Sequence, residues 1–227
     1  MVRSEERVER ELFRSDGDSE QVVVARALLG FGEDSKDHGS SLQVVASDAL
    51  IEHLRTHSVR TGDFVLKSGK RSSWFIDSKQ TVCRPDGVVL VADAALEVIP
   101  PEATAIGGLT QGADPVAFGI AAIGATRGRQ LRSFSIRREA KDHGVMGRIA
   151  GPLLPGDKVV VTEDTATRGT SALEAAKVIR DLGADPIMIL VVVDRGGTGA
   201  ELAAAEGIAF HALVTAPDLG FDYESGA

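Results

Sequence analysis

The residues best suited to chemistry stand together in one run, Val159-Val160-Val161-Thr162-Glu163-Asp164-Thr165-Ala166-Thr167-Arg168-Gly169-Thr170-Ser171. Its β-branched opening suits a strand buried on both faces of a parallel sheet. Two adjacent carboxylates follow, then a loop of small residues. Leu173, Ala176, Val178, Ile179 and Leu182 then recur at helical spacing. Small residues let backbone N–H groups approach an anion, and a helix N-terminus adds partial positive charge. Thr167, Thr170 and Ser171 add hydroxyl donors. The loop can therefore hold a phosphate while Glu163 and Asp164 accept from hydroxyl groups, a combination that suits a sugar phosphate. The order is neither that of a Walker loop nor that of a Gly-x-Gly-x-x-Gly turn. A plainer alternative is a buried strand whose polar end caps a helix, with Thr170 or Ser171 as N-cap.

A second concentration lies in residues 127–148. Seven bases (Arg127, Arg129, Arg132, Arg137, Arg138, Lys141 and Arg148) stand against two acids (Glu139 and Asp142), a net +5 inside a chain of net −8. A solvated loop is the plainer reading. Gly144, Gly147, Gly151 and the titratable His143 favour a mobile cationic loop that closes over a polyphosphate. Closure excludes water and strengthens attraction to a charged leaving group. Asp194-Arg195, after Val191-Val192-Val193, places a guanidinium at the C-terminal edge where open α/β sheets bind ligands. Arginine suits a carboxylate, to which it donates two parallel hydrogen bonds. An Asp–Arg surface turn is the alternative.

These groups converge only if a scaffold brings them together. A helix is predicted from Ser47 through Leu54. Phe64-Val65-Leu66, the basic turn Lys67 to Ser73 and Trp74-Phe75-Ile76 then form a hairpin. Arg84-Pro85-Asp86 opens a helix to Val98, Ala105-Ile106-Gly107-Gly108 is a strand, and Asp114-Pro115 starts a helix to Ala125. Strands at Leu131–Ile136, Pro186–Val193 and Ile208–Val214, with a helix at Ala200–Ala205, complete the pattern. The alternation predicts an α/β fold with a doubly wound, mainly parallel sheet. Residues 1–46 carry ten acids and six bases and read as an acidic, mobile extension. The rest reads as one domain, with an N-terminal hood over 47–84, a core over 85–214 and a loose tail over 215–227.

Composition narrows the function classes. The net charge of −8 argues against a general nucleic-acid or membrane-surface binder. Lone Cys83 excludes an intramolecular disulfide. No apolar run reaches the ~18 residues of a membrane span, and the opening Met-Val-Arg-Ser-Glu-Glu is too acidic for a secretory signal. A soluble, cytoplasmic protein is expected. Aromatic residues make up only 4 %, so aliphatic packing must fill the core.

The first run resembles the 5-phosphoribosyl-1-diphosphate (PRPP) motif of type I phosphoribosyltransferases: hydrophobics, two acids, then a loop ending Thr-x-Gly-Thr-Ser. Glu163 stands where Asp is usual, and Arg168 enlarges a normally small position. Arg137-Arg138-Glu139-Ala140-Lys141-Asp142-His143-Gly144 is similar to the catalytic loop of orotate phosphoribosyltransferases. The segment from Phe64 to Asp77 is similar to that family's hood. The resemblance implies PRPP binding by Lys67, Arg137, Arg138, Lys141, His143, Glu163, Asp164, Thr165, Ala166, Thr167, Arg168, Gly169, Thr170 and Ser171. Catalysis then falls to Lys141, His143, Arg137 and Asp164, and orotate binding to Phe75, Ile76, Thr167 and Arg195. It further implies Mg2+ held mainly by PRPP and water, and a homodimer whose loop reaches the neighbouring site. The turn Gly107 to Asp114 departs from the family in carrying no Lys. No His/Cys grouping suggests a metal caged by protein. A phosphoribosyltransferase for another base, or a non-catalytic PRPP-sensing regulator, would share the PRPP motif alone.

Overall fold

The computed structural model describes residues 39–65, 69, 71–141 and 147–223. The chain divides into two units, Met1–His38 and Gly39–Ala227, and all that follows concerns the second. The expected mobile extension lies, up to His38, outside the described residues. Helix α1 spans Gly39–His57, so it begins eight residues before the expected Ser47. Strands β1 (Val59–Val65) and β2 (Arg71–Ile76) pair antiparallel, as the hairpin reading required. Helix α2 (Lys79–Val82) follows, then α3 (Pro85–Val98) with Pro85 in its first turn, where a missing N–H costs nothing.

The main sheet has six strands: β3 (Ala105–Leu109), β4 (Arg132–Lys141), β5 (Gly147–Ala150), β6 (Lys158–Ala166), β7 (Asp185–Asp194) and β8 (Ala209–Thr215). Their spatial order is β5-β4-β3-β6-β7-β8. All neighbours run parallel except β5, which returns antiparallel along β4. Helices α4 (Ala113–Thr126), α5 (Thr170–Asp181) and α6 (Gly199–Ala205) make the crossovers.

Side chains alternate across the strands, so each strand feeds two cores. Ile106, Val160, Leu190 and Val192 pack on one face with Val91, Val116 and Ile120 of α3 and α4. Val159, Val161, Ile189 and Val191 pack on the other with Ala172, Ala175, Ala176 and Ile179 of α5. The sheet is covered on both faces, which explains the continuous apolar runs of its central strands. Between β3 and β6 the chain changes direction across the sheet. That switch point opens a crevice beyond their C-terminal ends, where ligands of such folds bind.

Two expectations need correction. The basic segment is regular for most of its length: β4 continues to Lys141, and Ser135, Ile136 and Lys141 pair with Ala150, Ile149 and Gly147. Its described part is an antiparallel ribbon, and the turn of the expected loop, residues 142–146, lies outside the described residues. The tail is not loose either. A 3-10 turn at Pro217–Leu219 buries Leu219, and the Phe221 ring stacks on Trp74 at 4.4 Å and 6°. Residues 224–227 lie outside the described residues. Among the described residues, no helix is long and apolar enough to cross a membrane.

Candidate active site

Strand β6 runs on through Ala166, so Glu163 and Asp164 sit on a strand rather than in a loop. Consecutive strand residues face opposite ways, and the adjacent acids part accordingly. Asp164, 7 % exposed, turns toward the hood side. Its Oδ2 accepts from Ser78 Oγ at 2.8 Å and from Lys79 Nζ at 2.5 Å, and its Oδ1 accepts from the Thr165 amide at 3.0 Å. Thr165 Oγ1 donates to Ser78 Oγ at 2.8 Å, closing the network. The approach is tight: a Cβ on Gly112 would lie 2.4 Å from Asp164 Oδ1, so only glycine fits that turn.

Glu163 turns toward α5 and the ribbon. Burial and the neighbouring Asp164 carboxylate push it up to about 7, against the opposing effects of the Ser171 hydroxyl, Arg138 and Lys79. This carboxyl therefore changes charge near neutral pH. Lys79 is held above its ordinary value: burial opposes this, but the hydrogen bond and charge of Asp164 outweigh it.

Helix α5 begins at Thr170, after Gly169 at φ +74°, and no side chain caps its first turn. Neither Thr170 nor Ser171 is the N-cap of the plainer reading. The amide groups of this uncapped helix tip have the geometry that favours an anion. Thr167 and Arg168 form the bend between β6 and α5, with Arg168 exposed.

The parallel register brings Ala166 opposite Asp194, so the loop after β7 lies against the loop after β6. The Arg195 amide donates to the Ala166 carbonyl at 2.8 Å, and Thr198 Oγ1 donates to the Thr167 carbonyl at 3.3 Å. Asp194 Oδ1 accepts from the Gly196 and Gly197 amides at 3.1 and 3.0 Å. Asp194 and Arg195 are 5 % and 6 % exposed, which excludes the surface-turn alternative. The Arg195 guanidinium lies over Trp74 at 4.7 Å from the ring centroid and near Phe75 at 5.8 Å, geometry for cation–π attraction. Phe75 stays 40 % exposed, while Ile76 buries its side chain in the core beside Trp74. Of these two hood residues, Phe75 lies near the Arg195 guanidinium and Ile76 packs into the core.

The two loops touch so closely that a Cβ on Gly196 would lie 1.6 Å from the Thr167 carbonyl oxygen. Gly196→Ala should therefore cost about 1–3 kcal/mol of stability through overpacking. Thermal unfolding checks this, and an unchanged Tm would mean that the loops part freely.

The cationic segment separates into two groups. Arg127 pairs with Asp93 at 2.8 Å, Arg132 pairs with Asp157, and Arg148 pairs with Glu174. Arg129 donates to the carbonyls of Pro100, Pro101 and Ala103. These four bases anchor the ribbon and its approach. Arg137 bonds the Gly147 and Ile149 carbonyls, both at 3.3 Å, and so stiffens the ribbon it belongs to. Arg138 is exposed, and its charge reaches Glu163. Lys141 ends β4; Lys67 and His143 lie outside the described residues.

Sequence reasoning missed Ser78 and Lys79, which hold Asp164 from 86 and 85 positions away. It missed Trp74 as the platform beneath Arg195. The only signal was an aromatic strand end followed directly by a polar Asp77-Ser78-Lys79 run.

No family model matches the chain. It is similar to the orotate phosphoribosyltransferase of Rhodopirellula baltica, with 33 % identity over 180 residues that cover 76 % of this chain and 93 % of that one. The orotate phosphoribosyltransferase of Corynebacterium glutamicum strain R is 38 % identical over 184 residues, covering 81 % and 98 %. A crystal structure of Mycobacterium tuberculosis orotate phosphoribosyltransferase in complex with PRPP is also similar, with a TM-score of 0.66 and 29 % identity. That match covers 78 % of this chain and 99 % of the other.

Proposed function

The chain belongs to the orotate phosphoribosyltransferase family, and we propose that its site works as that membership suggests. It is a transferase that moves the 5-phosphoribosyl group of PRPP to N1 of orotate, giving orotidine 5′-phosphate and diphosphate in pyrimidine biosynthesis. The observation that carries this reading is the convergence of three groups at the sheet's C-terminal edge. They are the uncapped tip of α5, the acid pair at the end of β6, and Arg195 on its aromatic platform.

In this reading the amides of Gly169 to Ser171 and nearby hydroxyls hold the 5′-phosphate, with Thr165, Ala166, Thr167 and Arg168 shaping the loop. Glu163 and Asp164 accept from the ribose hydroxyls, with Lys79 and Ser78 fixing the Asp164 carboxylate. Arg195 donates to the orotate carboxylate, and Phe75 and Thr167 border the ring. The C1–O bond breaks and its bonding electrons leave with diphosphate, the N1–C1 bond forms from the electron pair of N1, and the N1 proton passes to the departing diphosphate. Arg138, Lys141, Lys67 and His143 offset the negative charge that builds there, while Arg137 keeps the ribbon stiff. The charge of orotate at neutral pH is on its carboxylate and N1 gives up its proton as the new bond forms, while positioning and leaving-group stabilisation lower the barrier to C1–O cleavage.

The hard carboxylate oxygens of Glu163 and Asp164 at the strand end fit Mg2+ held mainly by substrate and water. When bound, Mg2+ supplies charge neutralisation to the diphosphate. The enzyme acts as a cytoplasmic homodimer whose ribbon reaches the partner's site. Incubation with PRPP, Mg2+ and a panel of bases tests the assignment: orotate alone should be consumed, and consumption of a purine or uracil instead would overturn it.

The position of Glu163 gives a pH prediction. As a carboxylate it accepts ribose hydroxyls, and below about 7 it takes up a proton and loses that capacity. The kcat/KM for PRPP should therefore fall with decreasing pH through that value. Glu163→Gln should remove this limb, which separates it from titration of the substrate phosphate. Lys79→Ala should shift the limb to higher pH, because the Lys79 charge holds Glu163 down. The sign for stability is opposite. The folded state binds the extra proton between the ordinary value of 4.5 and about 7, so stability declines across that window as pH rises.

A further inference from the structure

Away from the site just described, α1, α2 and α3 meet at a cluster of His53, His57 and Asp86. These residues each offer a ligand atom, all within 4.8 Å of one another. We propose that this cluster is a binding site for a borderline-soft divalent cation of the Zn2+ type, a staple between α1 and the start of α3.

The geometry suits the ion. His53 and His57 are four residues apart on one helix, so both rings emerge on the same face. The rings lie 4.5 Å apart between centroids and are tilted by 49°, an arrangement in which both can turn a nitrogen toward one point. His53 Nε2 stands 3.4 Å from Asp86 Oδ2. Two tetrahedral ligands at ~2.0–2.1 Å from zinc are separated by about 3.3–3.4 Å, so this pair already has the span of a coordination edge.

Protonation and second-sphere contacts agree. His53 Nε2 is a buried nitrogen facing Asp86 Oδ2 at 3.4 Å. Its other nitrogen, Nδ1, lies 3.1 Å from Thr81 Oγ1, which is itself 2.7 Å from Ser58 Oγ. A cation at Nε2 would select the tautomer in which Nδ1–H donates to Thr81 Oγ1, the arrangement that orients metal-bound imidazoles. Arg84 approaches the other carboxylate oxygen, Oδ1, at 3.4 Å and leaves Oδ2 to the cluster. Two neutral imidazoles and one carboxylate leave a fourth position for water. Zinc takes such a mixed N/O set, whereas Mg2+ prefers oxygen alone.

The site is independent of the transferase reading. Its test uses the untagged full-length chain, stripped with chelator and titrated with Zn2+ alone by calorimetry. Wild type should bind one ion per chain, and saturating Zn2+ should raise Tm by about 5–10 °C. His57→Ala should abolish both effects. Thr81→Val, which keeps all three ligands, should weaken binding by about 10–100-fold. Absence of binding by wild type, or binding by His57→Ala and Asp86→Ala equal to wild type, would overturn the proposal.

Discussion

Lys141→Ala should lower kcat by roughly 10²–10³-fold, the scale of losing one donor aimed at charge that develops in the transition state. The effect follows from where β4 ends. Four arginines fix the ribbon and its approach through Asp93, Asp157, Glu174 and the carbonyls around Pro101, so the strand is held in place. Arg137 ties its two halves together. Arg138 brings positive charge within reach of Glu163, and Lys141 terminates the same strand. A cation carried on a stiff arm loses little entropy when it meets the departing diphosphate. The KM for orotate should change far less, and unchanged turnover would remove the ribbon from the chemistry. Mixing inactive Lys141→Ala with inactive Asp164→Asn subunits should restore part of the activity through hybrid dimers. If none returns, each site is built from one chain.

Arg195→Ala should reduce kcat/KM for orotate by roughly 10²–10³-fold, since a bidentate pair contributes two charge-assisted hydrogen bonds of about 1.5–3 kcal/mol each. Affinity for PRPP should stay near wild type. The guanidinium is preorganised: Trp74 lies under it at 4.7 Å, Trp74 is itself stacked on Phe221, and the Asp194 carboxylate secures the following turn. Arg195→Lys should rescue little, because an ammonium neither forks to a carboxylate nor stacks on a ring. Steady-state kinetics with each substrate varied in turn decides the matter. An equal loss toward both substrates would show a disrupted loop rather than a lost carboxylate partner.

Local pattern revealed most of this scaffold. The apolar runs at Val159–Val161 and Val191–Val193 and the helical spacing after Thr170 are properties of neighbouring residues, so alternating strands and helices could be read directly. The strand, acids, small loop and helix tip proposed to hold the phosphate could be read for the same reason, because they are contiguous. What stayed hidden depends on contacts between distant segments. Nothing near Ser78 or Lys79 points to Asp164, which they meet only because α2 folds beside the end of β6. The +5 run looked uniform in sequence, yet its described arginines divide between those held by acids and carbonyls and the exposed Arg138, according to which groups the fold brings near. Phe221 read as part of a loose tail, and its stacking on Trp74 of the hood depends on a partner distant in sequence. The parting of Glu163 from Asp164 follows from two further residues of strand, set by pairing with β7 up to Asp194 rather than by propensity.

The most direct measurement is a crystal structure of the enzyme with PRPP and Mg2+. The account predicts the 5′-phosphate at the amides of Gly169 to Ser171, the ribose hydroxyls at Glu163 and Asp164, and the diphosphate facing Arg138 and Lys141 of one subunit or its partner. Density for PRPP away from Asp164, or a diphosphate that no residue of the ribbon approaches, would contradict it.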